Sequence, residues 1–401
     1  MGPVLKVIAL SASVLAAASA IVPLASNDPS AVVVDGTARA SGLDAAERED
    51  AAQLAASTGR GVDEVAAAMV GQADFVALVA EIESRFPGSY AASRWGDVEG
   101  AAGSISFVGA VPQQAIDLVS GTALSVELRG DALLSQREAV AQQAELYTEV
   151  LQRADVTDAV AVVDPATAQL ELEVQLRAGA ASTASMLESE LFGAASAARS
   201  QASPALDVSV SLIPAGIDLG SAEAIRGGMQ HSGCTAGFTV RSGSTYGVST
   251  AAHCGATASY DGVSMRTSGT RSTVPNDGDA RWTPTVSATA SDAFRYRLSP
   301  TAYRNVSSAS NPVVGQAICA FGIQTGYQCD NVMRVNSCAN GYCGLTFTYS
   351  EWSVSGDSGG PYFNSTVAHG IHRGETYYNG SYRNVFTRIG AINILGAVVV
   401  T

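Results

Sequence analysis

Along the first half of the chain, apolar residues recur alternately at helical and at strand period. "LDAAEREDAAQLAAS" from Leu43 and "VDEVAAAMVGQADFVALVAEIESRF" from Val62 are rich in Ala and repeat their apolar positions at the spacing of a helix that buries one face. "SISFVGAV" and "ALSVELRG" then read as strands, and "AVAQQAELYTEVLQRA" as a long helix. "DAVAVVD" and "QLELEVQL" form a strand pair joined by the turn Asp164-Pro165-Ala166-Thr167. "TASMLESELFGAASAAR" is a further helix and "LDVSVSLI" a further strand, which makes residues 44–213 an α+β segment. From Gly227 the texture changes to short runs rich in Ser, Thr, Val and Gly, such as "GFTVRSG", "TYGVSTAAH" and "QAICAFG". Turn signals every eight to twelve residues there predict an all-β sandwich or barrel.

Charge and cysteine divide the chain at the same place. Residues 1–224 carry 29 Asp and Glu against 11 Lys and Arg, a balance of −18; residues 225–401 carry 8 against 12, a balance of +4. All six Cys and all four His fall in the second part, so the first contains no catalytic constellation and reads as structural or regulatory. At 401 residues two or three domains are expected beyond any targeting segment.

The start, "MGPVLKVIALSASVLAAASAIVPLAS", has one Lys, an apolar run from Val7 and the small-residue site Ala18-Ser19-Ala20. That is the pattern of a secretory signal peptide over residues 1–26. No later stretch reads as long and apolar enough to span a bilayer, and "AINILGAVVVT" at the end reads as a final buried strand or helix. Export permits disulfides. Six Cys allow 15 pairings, and the expected set is sequential: Cys234 with Cys254, Cys319 with Cys329, Cys338 with Cys343. No Cys-x-x-Cys or His-x-x-x-His spacing near them points to a metal, and neither metal nor cofactor is expected. There is no basic run or aromatic-basic interleaving for nucleic acid.

The chemistry gathers around "SVSGDSGGPYF", Ser353 to Phe363, where three glycines surround an Asp-Ser pair. Such clustering is costly unless the backbone must take angles, or approach other atoms, in ways a Cβ forbids. A serine hydroxyl needs a base to become nucleophilic, and His253 in "STAAHC" is of the type suited to the task. A carboxylate should hold the imidazole in the right tautomer; "PNDGDARW" offers Asp277 and Asp279. The amides of Gly356 and Ser358 could converge on a developing oxyanion. Asp357 would be a buried carboxylate in need of a partner.

"CTAGFTV", "STAAHC" and "GDSGGP", in that order, resemble the chymotrypsin-like serine proteases, and the short interval from His to Asp resembles the secreted bacterial branch of streptogrisins and α-lytic protease. The resemblance covers residues 225–401. It implies two orthogonal antiparallel β-barrels with a triad between them: His253 as general base, Asp279 as orienting carboxylate, favoured by "DARW", and Ser358 as nucleophile. "ICAFGIQTGYQC" matches a bridged loop of those enzymes and supports Cys319 with Cys329. Residues 44–213 resemble, more weakly, their long pro-regions, for example at "FPGSYAASRW" and "FVGAVP"; this implies that residues 27–224 assist folding and then inhibit in cis, and the family implies peptide substrates and a mature monomer free of membranes. One departure stands out. The relatives usually carry a Cys shortly before the reactive Ser, and this chain has Cys338 and Cys343 instead.

In glutamate-specific members a "GIH" segment offers an imidazole to the substrate carboxylate. "AHGIHRGET" places His372 there, against the alternative of a packed histidine in a pocket for apolar side chains; His369 reads as a surface residue. Glu223 in "GSAEAIRGG" lies just before the expected mature start, so cleavage after it would be self-processing. Gly356 to Gly360 also fits the G-x-S-x-G elbow of α/β-hydrolases, but there acid and His follow the Ser, and no Asp follows Ser358. A binding protein on a protease scaffold is the other rival; it would normally have lost a triad member.

Overall fold

The computed structural model describes residues 30–36, 42–96, 98, 100–197, 204–213, 230, 231, 233–260, 263–286, 290–298 and 302–401. The signal-peptide reading over residues 1–26 and the junction at Glu223 lie outside the described residues.

The first helix, Ala45–Thr58, is started by an Asp44/Glu47 capping box and ended at Gly59 in the left-handed region, φ 69°. It does not pack on the neighbouring sheet. Its Ala51, Leu54 and Ala55 enter a core shared with Phe238, Cys319, Phe321 and Phe363 of the second half. A four-stranded sheet follows, in the order Ala31–Asp35, Ser125–Ala132, Gly103–Val108, Tyr90–Trp95. Helix Gln72–Arg85 covers it, burying Phe75, Val79 and Ile82 against Ile105, Phe107, Val126 and Leu128.

The run from Val62 that reads as one helix is two, Val62–Met69 and Gln72–Arg85. Gly71 breaks it at φ +83°, where an added Cβ would also sit 2.8 Å from Leu124 Cδ2. An 18-residue window within residues 62–85 reaches a mean hydropathy of 1.6, apolar enough by length and composition to cross a membrane, contrary to the sequence reading, but the stretch is divided into helices of 8 and 14 residues. The apolar residues of the Gln72–Arg85 part are spent on the sheet core.

The strands Val156–Asp164, Gln169–Leu176 and Asp207–Ile213 form a second sheet, backed by helices Gln136–Leu151 and Ala184–Ala197. This sheet continues into the second half, because Ala161 and Val160 pair with Cys338 and Ala339 of the strand Gly326–Ala339.

In the second half the pairings close on themselves. Ala317–Gly322 pairs with Gly326–Ala339 on one side and with Pro361–Asn364 on the other; Val367–Tyr378, Ser381–Arg388 and Tyr342–Thr348 complete a circuit of six strands. A separate five-stranded sheet runs Arg271–Ser272, Arg281–Pro284, Thr245–Thr250, Thr239–Ser242, Val398–Val399. The apolar tail ends as expected in buried structure: helix Gly390–Ile394, then a strand with Val399 opposite Val240. All three sequential disulfides form.

The opposed charges of the halves meet directly. Arg304, 7% exposed, pairs with Glu49 at 2.7 Å and Asp50 at 2.8 Å, and Arg297 pairs with Glu49. Asp50 also accepts hydrogen bonds from the Tyr327 hydroxyl and from Ser365 N, so both carboxylate oxygens are satisfied.

Candidate active site

His253 sits on the short turn Ala252–Cys254 that follows the strand Thr245–Thr250, and the Cys234–Cys254 bridge pins that turn. Of the two candidate carboxylates, the structure brings Asp279 to the ring. Its Oδ2 lies 2.5 Å from His253 Nδ1, and its Oδ1 accepts His253 N–H at 3.1 Å. With Nδ1–H donating to the carboxylate, the neutral ring presents Nε2 as an acceptor. Asp277 stays outside the site on the turn Pro275–Asp277. Gly278 lets Asp279 reach its place: it takes φ +97°, and a Cβ there would lie 2.4 Å from Thr387 Cγ2. Thr387 Oγ1 in turn accepts Asp279 N–H at 2.9 Å. Asp279 is fully buried; burial pushes its carboxyl up, but hydrogen bonds from His253 and the charges of His253 and Arg373 outweigh that and hold it below the usual carboxylate range.

Ser358 lies in the glycine-rich turn, whose conformation answers the cost of its glycines. Gly356 and Gly359 take φ of 103° and 87°. A Cβ on Gly359 would lie 2.0 Å from Thr250 Oγ1, and one on Gly360 2.3 Å from Phe321 O. Asp357, also fully buried, finds the partners it needs in backbone rather than in a cation. Its carboxylate accepts N–H groups from Gln324 at 2.8 Å and Val354 at 3.0 Å, and the Thr325 hydroxyl at 2.9 Å. Gly322 leaves room for it, since a Cβ there would fall 2.2 Å from Asp357 Oδ1.

Three links tie the serine turn to the histidine and the acid. Ser358 O accepts Thr235 N–H at 2.8 Å, and Thr235 neighbours the Cys234–Cys254 bridge beside His253. Thr250 Oγ1 donates to Thr235 O at 3.1 Å, closing the same loop. Arg373 spans the remaining gap: its carbonyl accepts the Ser358 hydroxyl at 3.2 Å, and its Nε lies 3.5 Å from Asp279 Oδ2. Ser358 is fully buried in this arrangement, and His253 Nε2 hydrogen-bonds to none of the described residues.

His372 is 1% exposed, and its ring clusters with those of Trp352 at 5.8 Å and Tyr362 at 5.7 Å, which lie 6.1 Å from each other. Its backbone is paired to the serine turn, through Gly359 N–H to His372 O and His372 N–H to Gly360 O, both at 2.8 Å. His369 is not on the surface as expected but 2% exposed. It is held by Ser310 O at Nδ1 and Gln316 Nε2 at its own Nε2, both at 2.8 Å, because its strand Val367–Tyr378 runs through the closed circuit and buries both faces there. Two clusters have the proximity of metal ligands, Cys234/His253/Cys254 and Asp50/Cys319/Cys329, yet each contains a disulfide and so offers no thiolate. Arg373 is the participant that sequence reasoning missed; it directly follows His372, and nothing local marks its contact with Asp279.

Comparisons with known proteins point the same way. No family model matches the chain. It is 32% identical to streptogrisin-C of Streptomyces griseus over 37% of this chain and 35% of that protein. It is 31% identical to serine protease 1 of Streptomyces fradiae over 43% and 50% respectively. The match thus spans half or less of the length of these two relatives. Glutamyl endopeptidase 2 of Streptomyces griseus is 33% identical over 37% of this chain and 82% of its own length. Among solved structures, Thermobifida fusca Protease A aligns with 42% of this chain and 91% of its own at 26% identity, with a TM-score of 0.35. With its histidine, aspartate and serine motifs in that order and a third of the aligned residues identical across 82% of one relative, the chain belongs to the bacterial chymotrypsin-like serine proteases.

Proposed function

We propose that the chain is the precursor of a secreted serine endopeptidase. The observation that carries this reading is the His253–Asp279 pair, held at two points by one buried carboxylate and tied to the GDSGGP serine. In the reaction His253 Nε2 takes the proton of Ser358 Oγ as the oxygen attacks the scissile carbonyl, and the amides of Gly356 and Ser358 receive the negative oxygen. His253 then passes the proton to the leaving amine, and water hydrolyses the acyl-enzyme by the same route. The second half adopts the two-barrel arrangement, with the closed six-strand circuit as one barrel and the five-stranded sheet as the wall of the other.

Residues 27–224 serve as folding assistant and inhibitor in cis. The buried Ser358, its hydroxyl turned to the Arg373 carbonyl, fits a latent state, and the continuous sheet at Ala161 and Cys338 fits a template for the second half. The preferred residue before the scissile bond is Glu, received by His372. In support, a relative named glutamyl endopeptidase shares 33% identity, and the backbone of His372 is paired directly to the serine turn. A pocket for apolar side chains is the competing reading, favoured by the Trp352 and Tyr362 rings beside the imidazole. Cleavage of a peptide library varied before the cut, with wild type and His253→Ala, tests both levels. Hydrolysis lost in the variant supports the protease; cleavage confined to large apolar residues overturns the acidic preference.

A further inference from the structure

Arg373 is a residue that the triad chemistry does not itself require, and its surroundings are unusual for a cation. It is 2% exposed, with Nε 3.5 Å from Asp279 Oδ2, Nη2 donating to Asn340 O at 3.3 Å, and its guanidinium carbon 5.1 Å from the centre of the Tyr342 ring. Asn340 lies in the turn between Gly326–Ala339 and Tyr342–Thr348 that Cys338–Cys343 staples. The first segment docks on that same turn: Val160 and Ala161 pair with its first strand, and Tyr147 Oη accepts Gly341 N–H at 2.9 Å. A guanidinium is costly to bury without a counter-charge, so its placement against the triad carboxylate needs a reason.

We propose that Arg373 is a positioning residue of the triad: wedged between Asp279 and the stapled turn, its guanidinium fixes the orientation of the carboxylate and supplies a buried positive charge that disfavours protonation of His253. The inference rests on the protease reading. A cation behind the acid leaves the hydrogen bond to His253 Nδ1 in place while offsetting part of the negative charge that favours an imidazolium.

The other groups facing this cluster are Arg281 on the strand Arg281–Pro284, Tyr342 on the stapled turn, and Asp158 and Tyr147 from the first segment. Burial pushes the Asp158 carboxyl up, and the Ala159 N–H and the charge of Arg373 pull it part of the way back.

The test is the pH dependence of kcat/KM for a chromogenic peptide, with the full chain expressed and then processed. Arg373→Gln removes the charge but keeps a donor for Asn340; Arg373→Lys keeps the charge; Arg373→Met, of similar length, serves if the Gln variant does not accumulate. The neutral variants are expected to move the acid limb upward by about one pH unit, with kcat reduced roughly tenfold and KM little changed, while Lys keeps the limb of the wild type. A neutral variant with the wild-type limb overturns the inference and leaves the protease reading standing, as does a Lys variant displaced as far as Gln. A wild type without hydrolytic activity overturns both.

Discussion

Asp279 grips His253 twice, with Oδ2 at the ring nitrogen Nδ1 and Oδ1 at the backbone N–H of the same residue. A single carboxylate thus fixes both the tautomer of the imidazole and the turn that carries it. Replacing Asp279 by Asn keeps the shape but lets the ring adopt the wrong tautomer. A fall of roughly 10⁴-fold in kcat is expected, the magnitude known for this change in a serine-protease triad. Asp277→Asn, on the turn outside the site, should stay within about threefold. Steady-state kinetics of the two variants decide between the carboxylates, and the reverse ranking refutes the assignment.

Acid should loosen the fold through His369. Burial pushes its imidazole down to about 4 from an ordinary 6.5. Val313 N–H donates to Gln316 Oε1, which turns the amide nitrogen of Gln316 toward His369 Nε2 and leaves no acceptor there for a second proton. The folded state therefore binds fewer protons than the unfolded one between those values, so stability rises with pH across that window and is lost as pH falls from about 6.5 to about 4. The loss from this residue amounts to about 3 kcal/mol. Denaturant titrations of Ser358→Ala at several pH values, with and without His369→Gln, measure it; an unchanged pH slope in the His369 variant contradicts the reading.

The Arg304 cluster should hold the two halves together. Truncating Arg304 to Ala leaves the buried Asp50 without its cation, whereas truncating Asp50 leaves Arg304 its pair with Glu49. A loss of about 3–5 kcal/mol is expected from the first, less from the second, and less than the sum from both together. Thermal unfolding of the full chain carrying Ser358→Ala reads this out; additive losses would show that the pair is not coupled.

For the specificity pocket, His372→Gln should lower kcat/KM for Glu-containing peptides by about 100-fold and leave apolar ones within about threefold, as expected where a site recognises a polar group by hydrogen bonding. Equal losses on both substrates would point to disruption of the Trp352, Tyr362 and His372 ring cluster rather than to recognition.

The sequence made the chemistry legible and left the packing between halves obscure. The triad motifs, the sequential disulfides and the alternation of helix and strand can be read locally, because cap residues, strand period and the glycines around Ser358 act over a few positions. Gly71 illustrates the limit. An isolated Gly within an apolar helical run is common, and only contact with Leu124 across the fold explains why the backbone turns there. The burial of His369, the pairing of Arg304 with Asp50 and the approach of Arg373 to Asp279 are all contacts between residues more than 50 positions apart. No period or motif carries such information. Asp357 shows the same limit from the other side: its need for a partner could be stated, but two of its partners are backbone groups of Gln324 and Val354, which any sequence could supply, and the third, the Thr325 hydroxyl, lies 32 positions away.

The most direct measurement is mass spectrometry of the processed chain after treatment with a fluorophosphonate. A single adduct on Ser358, absent in His253→Ala and in the denatured protein, is the expected result. Intact processed protein that takes up no label, or takes it up equally without His253, would contradict a serine made nucleophilic by that imidazole.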